Sequence, residues 1–367
     1  MSRQRVALVF GGRSGEHEIS LRSARAVAAA LDPARFEVLL VGIDKDGRWR
    51  IGQELAPVLE RAGRELVSVP AIGTEVTLAV DPTAPGFVPL GGGPRIPVDV
   101  VFPMLHGTFG EDGTVQGLFE MAGLPYVGAG VLGSAAGMDK GTTKTLLHHA
   151  GIPVCGWIVA RPRLDDAPSV RQRIEDAFGF PCFVKPANLG SSVGITKVRR
   201  PDELGAALAE ATRYDALVIV EQAIDGRELE CAVIGNDRPE TSVIGELIPS
   251  REWYDYVDKY VADATRIEIP ARLEPAVADE ARRLAAAVFE TVGCSGLARV
   301  DFFLERGSGR LYVNEINTMP GCTPASMFPK LWEASGVPFR SVVERLLALA
   351  RERHDERARR SYTFSPS

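Results

Sequence analysis

The N-terminal part of the chain alternates short apolar runs with helical periodicity. Val6–Phe10 is an apolar run closed by Gly11-Gly12, and an alanine-rich pattern of helical spacing follows from Glu16 to Leu31. Val38–Ile43 is the next strand-like run, ended by the turn signal Asp44-Lys45-Asp46-Gly47. Val98–Leu105 is almost continuously apolar, the pattern of a strand covered by helices on both faces. Strand, helix, strand in this order predicts a parallel α/β unit. The stretch from Val58 to Pro97, rich in Pro and Gly, reads as a peripheral insertion.

A second unit begins near Gly128. Met138–Ala150 has helical spacing, Cys155–Ala160 and Cys182–Lys185 are strand-like, and Asn188–Gly194 is a glycine-serine loop. Pro201–Arg213 is helical with Pro at its start, and Ala216–Gln222 is a buried strand. From Arg227 the pattern turns strand-rich, then irregular and aromatic over Trp253–Tyr260. Arg272–Val292 is helical, and strands Leu297–Leu304 and Arg310–Ile316 flank the turn Arg306-Gly307-Ser308-Gly309. Helices over Leu331–Ala334 and Ser341–Arg353 follow, and the mixed-charge run 351–360 reads as a solvated helix end. No internal repeat is visible.

Composition narrows the class. With 367 residues, 45% apolar and net charge −6, the chain is a folded globular protein long enough for two or three domains with a cleft. The mildly acidic balance gives no reason to expect nucleic acid as a partner. No apolar run approaches the ~20 residues of a membrane span. The start of the chain lacks the apolar core and cleavage site of a secretory signal. Five dispersed cysteines without a CxxC pair argue against a disulfide framework or a zinc site and fit a reducing cytoplasm.

The strongest chemical signal is the C-terminal strand pair. In ARVDFF, Arg299 and Asp301 share one face; in YVNEIN, Glu315 and Asn317 do. A short turn makes the strands antiparallel neighbours, so a cation, two carboxylates and an amide converge between apolar residues. A salt-bridged sheet face would explain Arg299 and Asp301 alone. All four together point to a hard-cation site, because Mg²⁺ takes oxygen from one or two carboxylates and from substrate phosphates.

The loop Asn188–Gly194, with Ser191 and Ser192, is not a Walker loop. It would pass for a hairpin turn, but Lys185 on the preceding strand favours a phosphate cradle. Glu16 follows the turn Gly11–Gly15 in a first helical turn, equally suited to a site or to the helix dipole. His106 begins LHGTFGEDG at the C-terminal end of a buried strand, where open α/β sheets bind ligands. His148 and His149 read as helix surface, and His17 as a cap or solvent-facing residue. Glu221 and Gln222 end a buried strand, which fits an adenine edge and ribose or a plain strand end.

In this order, GGRSGEHEIS, HGTFGEDGTVQG, MDK (138–140), VKPANLGSSVG, EQAIDGRE, YDYVDKY, ARVDFF and NEINTMPGCTPASM resemble the ATP-grasp superfamily, specifically the D-alanine–D-alanine ligases. The match spans nearly the whole chain; 58–97 and the last dozen residues carry no family motif. The resemblance implies a three-domain α/β ATP-grasp architecture: an N-terminal parallel-sheet domain (1–128) for the first D-alanine, a central domain (129–225) and a C-terminal domain (226–367). ATP would lie between the last two, under a mobile loop at about 250–266.

Carried over by position, Lys140 and Lys185 would contact ATP phosphates beneath the loop holding Ser192. Glu221, Gln222 and Ile224 would meet adenine, and Glu228 the ribose. Gln222 departs from the family, which often has Lys there, but its amide keeps a donor. Asp301, Glu315 and Asn317 would hold two Mg²⁺, with Mn²⁺ able to substitute. Glu16 would pair with the first D-alanine's ammonium beside His106. Arg299 and the Gly321 N–H would stabilise the oxyanion, while Ser326 and the Met327 N–H would hold the second carboxylate. Tyr260, through Ser191 and Glu16, would lock the loop, and Lys259 would reach the phosphate. The implied activity is ATP-dependent D-alanyl-D-alanine synthesis for peptidoglycan, by a cytoplasmic homodimer. A D-alanine–D-lactate ligase would replace the tyrosine of this loop and supply a histidine; here Tyr260 is retained and no histidine lies between 150 and 353. A silent nucleotide-binding regulator would be expected to lack one of Arg299, Asp301, Glu315 or Asn317. An ATP-grasp enzyme for another acid is disfavoured by the Glu16 and Tyr260 motifs.

Overall fold

In the computed structural model, which describes residues 3–191, 193–248 and 266–361, the strands of the described residues sort into three sheets in chain order. The first comprises β1 (Gln4–Gly11), β2 (Phe36–Ile43), β3 (Trp49–Ile51), β4 (Thr74–Leu78), β5 (Gly86–Pro89), β6 (Ile96–Pro97) and β7 (Val100–Met104), ordered β6-β5-β4-β3-β2-β1-β7. β1 runs parallel to β2 and β7, with helix His17–Ala30 crossing over. Its alternate residues serve two cores, Val6, Leu8 and Phe10 on one face and Ala7 and Val9 on the other.

The segment from Val58 to Pro97 is not a peripheral insertion. It supplies β4–β6, which extend the sheet antiparallel beyond β3, while Val58, Val67 and Val69 pad the core beneath. The strands are too short, and too interrupted by Pro and Gly, to print a period on the sequence.

The second sheet, antiparallel throughout, comprises β8 (Trp157–Ala160), β9 (Cys182–Pro186), β10 (Thr196–Val198) and β11 (Val218–Gln222), ordered β10-β9-β11-β8. The third comprises β12 (Gly226–Gly235), β13 (Glu240–Ile248), β14 (Arg266–Glu268), β15 (Gly296–Glu305) and β16 (Leu311–Asn317), ordered β14-β13-β12-β15-β16. Helix Pro275–Val292 buries Leu284, Val288 and Phe289 against it.

The helical pattern predicted over 138–150 is broken at Asp139, which is extended and accepts a hydrogen bond from the Thr142 N–H at 2.7 Å. That cap ends helix Val131–Met138 and starts helix Lys140–His149, placing Lys140 in a first turn. Leu147 and Ala136 pack with Phe289 and Val313, so these helices join the third sheet's core.

The last helices, Met327–Ala334 and Phe339–Ala358, carry Phe328, Leu331, Val342 and Leu346 into the core that holds Val6, Leu8 and Phe10. The charged end of the second, 351–360, is mostly exposed, as a solvated helix end should be, but Arg353 and Arg357 on one side of it dock. Arg353 stacks on Tyr126 at 4.4 Å and donates to the Tyr126 carbonyl at 3.0 Å, and Arg357 pairs with Glu120. All five cysteines are buried free thiols. No helix among the described residues is long and apolar enough to cross a membrane.

Candidate active site

The period of two puts Arg299 with Asp301 and Glu315 with Asn317 on one face of each strand, and a bulge at Asn314 sets the register at which the two pairs meet. Arg299 lies directly opposite Asn317, and Asp301 opposite Glu315. The Arg299 guanidinium donates twice to Asp301, both at 2.7 Å, and pairs with Glu230 of β12 at 2.9 Å. Asn317 Nδ2 donates to Asp301 Oδ2 at 3.0 Å. Burial opposes the charge of Arg299, but Asp301 and Glu230 outweigh it and raise its pKa well above the ordinary value. A planar fork held from two sides cannot swing away.

From the first sheet, Glu16 reaches the same place. It is the residue before helix His17–Ala30, but its side chain makes no cap; Ser191 Oγ donates to it from the glycine-serine loop. Gly107, at φ +71°, is needed here because a Cβ would stand 2.8 Å from Glu16 Oε2. Ser191 itself has φ 54°, a strained conformation for a side-chain-bearing residue. Its contact with Glu16 joins regions 175 residues apart.

Two further side chains from the HGTFGEDG segment clamp one residue, Met319, of the third region. Glu111 accepts from the N–H groups of Gly107 (2.8 Å) and Met319 (2.9 Å). His106 Nδ1 donates to the Met319 carbonyl at 2.9 Å, and its Nε2 faces Ser23 Oγ at 3.1 Å. Since a carbonyl only accepts, the proton sits on Nδ1, leaving neither nitrogen for an ammonium. Burial lowers the His106 pKa against the pull of Glu16. Burial, then the charge of Glu16, push the Glu111 carboxyl up to about 8 against its two backbone donors. His17 is not a solvent-facing cap: it is fully buried, bonded to the Gly12 carbonyl (2.7 Å) and the Val69 N–H (3.0 Å).

At the other end lies a lysine-rich wall. Lys140 Nζ donates to the Leu189 carbonyl at 2.8 Å and stands 3.4 Å from Glu315. Lys185 pairs with Glu221, which also meets Lys144 at 3.0 Å. Burial alone would raise the Glu221 pKa, but Lys144 and Lys185 hold it down to about 2. Gln222 Oε1 accepts from the Gly156 N–H at 3.3 Å, which leaves its Nε2 donors for a ligand.

These residues line two adjoining cavities. One, of about 380 Å³, lies between the second and third sheets and is lined by Lys140, Lys185, Glu221, Gln222, Ile224, Glu228 and Asp301. The other, of about 430 Å³, is lined by Glu16, His106, Glu111, Asn317, Gly321, Ser326 and Met327. Ser191, Arg299 and Glu315 belong to both. Ser192, Lys259 and Tyr260, with the loop at about 250–266 as far as residue 265, lie outside the described residues.

Asp301, Glu315 and Asn317 offer only oxygen donors, the chemistry of a hard cation. Among the described residues no group of three or more His, Cys, Asp or Glu could hold a metal without help. The trio's donor set fits a hard cation such as Mg²⁺, whose remaining ligands would be phosphate oxygens.

Sequence reasoning missed Lys144, Glu230 and Glu111. Glu230 carried a signal, since it lies two residues past Glu228 on one strand and pairs with Asp301. Lys144 lies one helical turn past Lys140, and Glu111 sits inside a motif already singled out.

Two family models match the chain, described as D-ala D-ala ligase N-terminus over residues 5–129 and D-ala D-ala ligase C-terminus over residues 146–348. A D-alanine–D-alanine ligase of Heliobacterium modesticaldum is 47% identical over 98% of both chains. The solved D-alanine–D-alanine ligase from Coxiella burnetii is 39% identical with TM-score 0.84, covering 98% of this chain and 97% of that one. A solved D-Ala:D-Ser ligase from Enterococcus faecalis is 35% identical with TM-score 0.85, covering 95% and 100%.

Proposed function

Because the chain belongs to the D-alanine–D-alanine ligase family, we propose that it joins two D-alanines in an ATP-dependent, ADP-forming ligation. The observation that carries this reading is the shared wall of the two cavities. Ser191, Arg299 and Glu315 border both, so the phosphate end of a nucleotide in one meets an amino acid in the other. A carboxylate oxygen of the first D-alanine attacks the γ-phosphorus, and ADP leaves. The amine nitrogen of the second attacks the acyl carbon of the resulting D-alanyl phosphate; phosphate leaves and the nitrogen loses a proton.

Each residue then has a role set by its position. Lys140 and Lys185 neutralise phosphate charge, while Gln222 and Ile224, with the backbone of Glu221, take the adenine, and Glu228 the ribose. Glu16 receives the first ammonium. Arg299 and the Gly321 N–H stabilise the tetrahedral oxyanion, and Ser326 with the Met327 N–H holds the second carboxylate. His106 orients the Met319 peptide. Asp301, Glu315 and Asn317 would hold two Mg²⁺, replaceable by Mn²⁺, which supply charge neutralisation to the phosphates. By sequence alone, Ser192, Lys259 and Tyr260 cover the site and exclude water from the acyl phosphate. Residues 1–128, 129–225 and 226–367 form the three domains. The working enzyme is a cytoplasmic homodimer that makes a peptidoglycan precursor.

The test is phosphate release with Mg-ATP and D-alanine, against L-alanine and against D-alanine paired with D-lactate or D-serine, with products identified by mass. Dipeptide formed one-for-one with phosphate from D-alanine alone is the expected result. Release yielding only a D-lactate or D-serine product would displace the second substrate, and no release would displace the ligase reading.

A further inference from the structure

Lys144 is 1% exposed, an unusual place for an ammonium, and it does not line the nucleotide cavity. Its Nζ meets Glu221 at 3.0 Å, Cys155 Sγ at 3.4 Å and the Asn314 carbonyl at 3.3 Å, which ties the second sheet to β16 behind the cavity wall. The other oxygen of Glu221 pairs with Lys185, which does line the cavity. One buried carboxylate therefore holds two lysines, one fixed behind the wall and one facing the ligand.

Two cations on one anion leave a surplus positive charge, and only Lys185 is placed to offer it. We propose that Lys144 is a positioning residue that serves as the permanent counter-ion of Glu221, so that Lys185 is released to nucleotide phosphate when ATP binds. Without Lys144, moving Lys185 to a phosphate would strand a buried carboxylate, which is strongly unfavourable. Lys185 would then remain on Glu221, and the phosphate end of the nucleotide would lose one of its two lysines. Burial disfavours a charge on Lys144, yet Cys155 and Glu221 raise its pKa above the ordinary value, in keeping with a fixed cation. The proposal rests on the nucleotide assignment of this cavity.

The experiment measures ADP and adenosine binding by calorimetry for the full chain, for Lys144→Met and for Lys144→Met/Glu221→Gln. Lys144→Met should weaken ADP by roughly 10- to 100-fold while adenosine binding and the KM for D-alanine stay within about twofold of the parent. Adding Glu221→Gln should recover most of the loss, because a neutral amide needs no counter-ion; a merely structural lysine would give additive damage instead. Lys144→Gln keeps donors for Cys155 and the Asn314 carbonyl without the charge, and carries the same expectation if Lys144→Met does not fold. Normal ADP binding by these variants, or a double variant no better than the single, overturns the proposal. Failure of the unaltered chain to bind ADP would overturn the nucleotide assignment beneath it.

Discussion

Glu111 and Met319, 208 residues apart, are joined by a 2.9 Å hydrogen bond from the Met319 N–H to the Glu111 carboxylate. His106 takes the carbonyl of the same residue. The loop that carries Gly321 and Ser326 is thus held by the N-terminal region rather than by its own sheet. Both grips come from the segment that follows β7, where open sheets place their functional loops.

Glu111→Ala should therefore cost both stability and turnover. It strands two backbone donors, each worth about 1–3 kcal/mol when buried. A fall of at least about 1 kcal/mol in urea unfolding, with a higher KM for the second D-alanine, is expected. Equal stability and kinetics would mean that the loop holds its place alone.

Arg299→Lys should lower kcat by about 100-fold or more. An ammonium cannot hold Asp301 with two parallel bonds while also reaching Glu230. ADP affinity should change far less, because the lysine wall is untouched. Calorimetry beside steady-state kinetics separates the two; a kcat within tenfold of the parent contradicts the role.

Glu315→Ala should abolish ATP turnover while leaving thermal unfolding close to that of the parent. Its side chain is 26% exposed and stands 3.4 Å from Lys140, and truncating so exposed an ion pair should cost little stability. Chelating the metal should silence the parent enzyme and added Mg²⁺ restore it. Near-normal activity of the variant removes the metal assignment.

Acid sensitivity should trace to Glu221. Its folded pKa, about 2, is depressed below the ordinary 4.5, so its stabilising contribution is complete above about pH 4.5 and fades as pH falls toward 2. The stability gap between the parent and Glu221→Gln should shrink over that window. A gap independent of pH would show that the carboxylate is not held as an anion by its lysines.

Much of the fold was legible because its signals are local. The strand, helix and strand at the start of the chain and the alternation within β15 and β16 rest on a period of two or 3.6 within one segment, and the glycine-serine loop on its composition. Alternation within each strand puts Arg299 with Asp301 and Glu315 with Asn317, but the facing of Arg299 with Asn317 and of Asp301 with Glu315 needed a bulge at Asn314, without which Asn314 would stand opposite Asp301. The antiparallel half of the first sheet was not legible, since strands such as β3 and β6, of three and two residues, are too short to repeat an alternation.

What the sequence determined by itself is the family, the order of most elements outside 58–97 and the two polar pairs of one hairpin, through its motifs, backbone periodicity and residue type. Only the tertiary structure decided that Lys144 is buried behind Glu221, that Glu111 and His106 clamp Met319, and that Arg353 docks on Tyr126. A lysine on a helix or an arginine near a chain end reads as solvated until a distant segment closes over it. Whether one does so depends on how the sheets share their cores, and no local pattern records that.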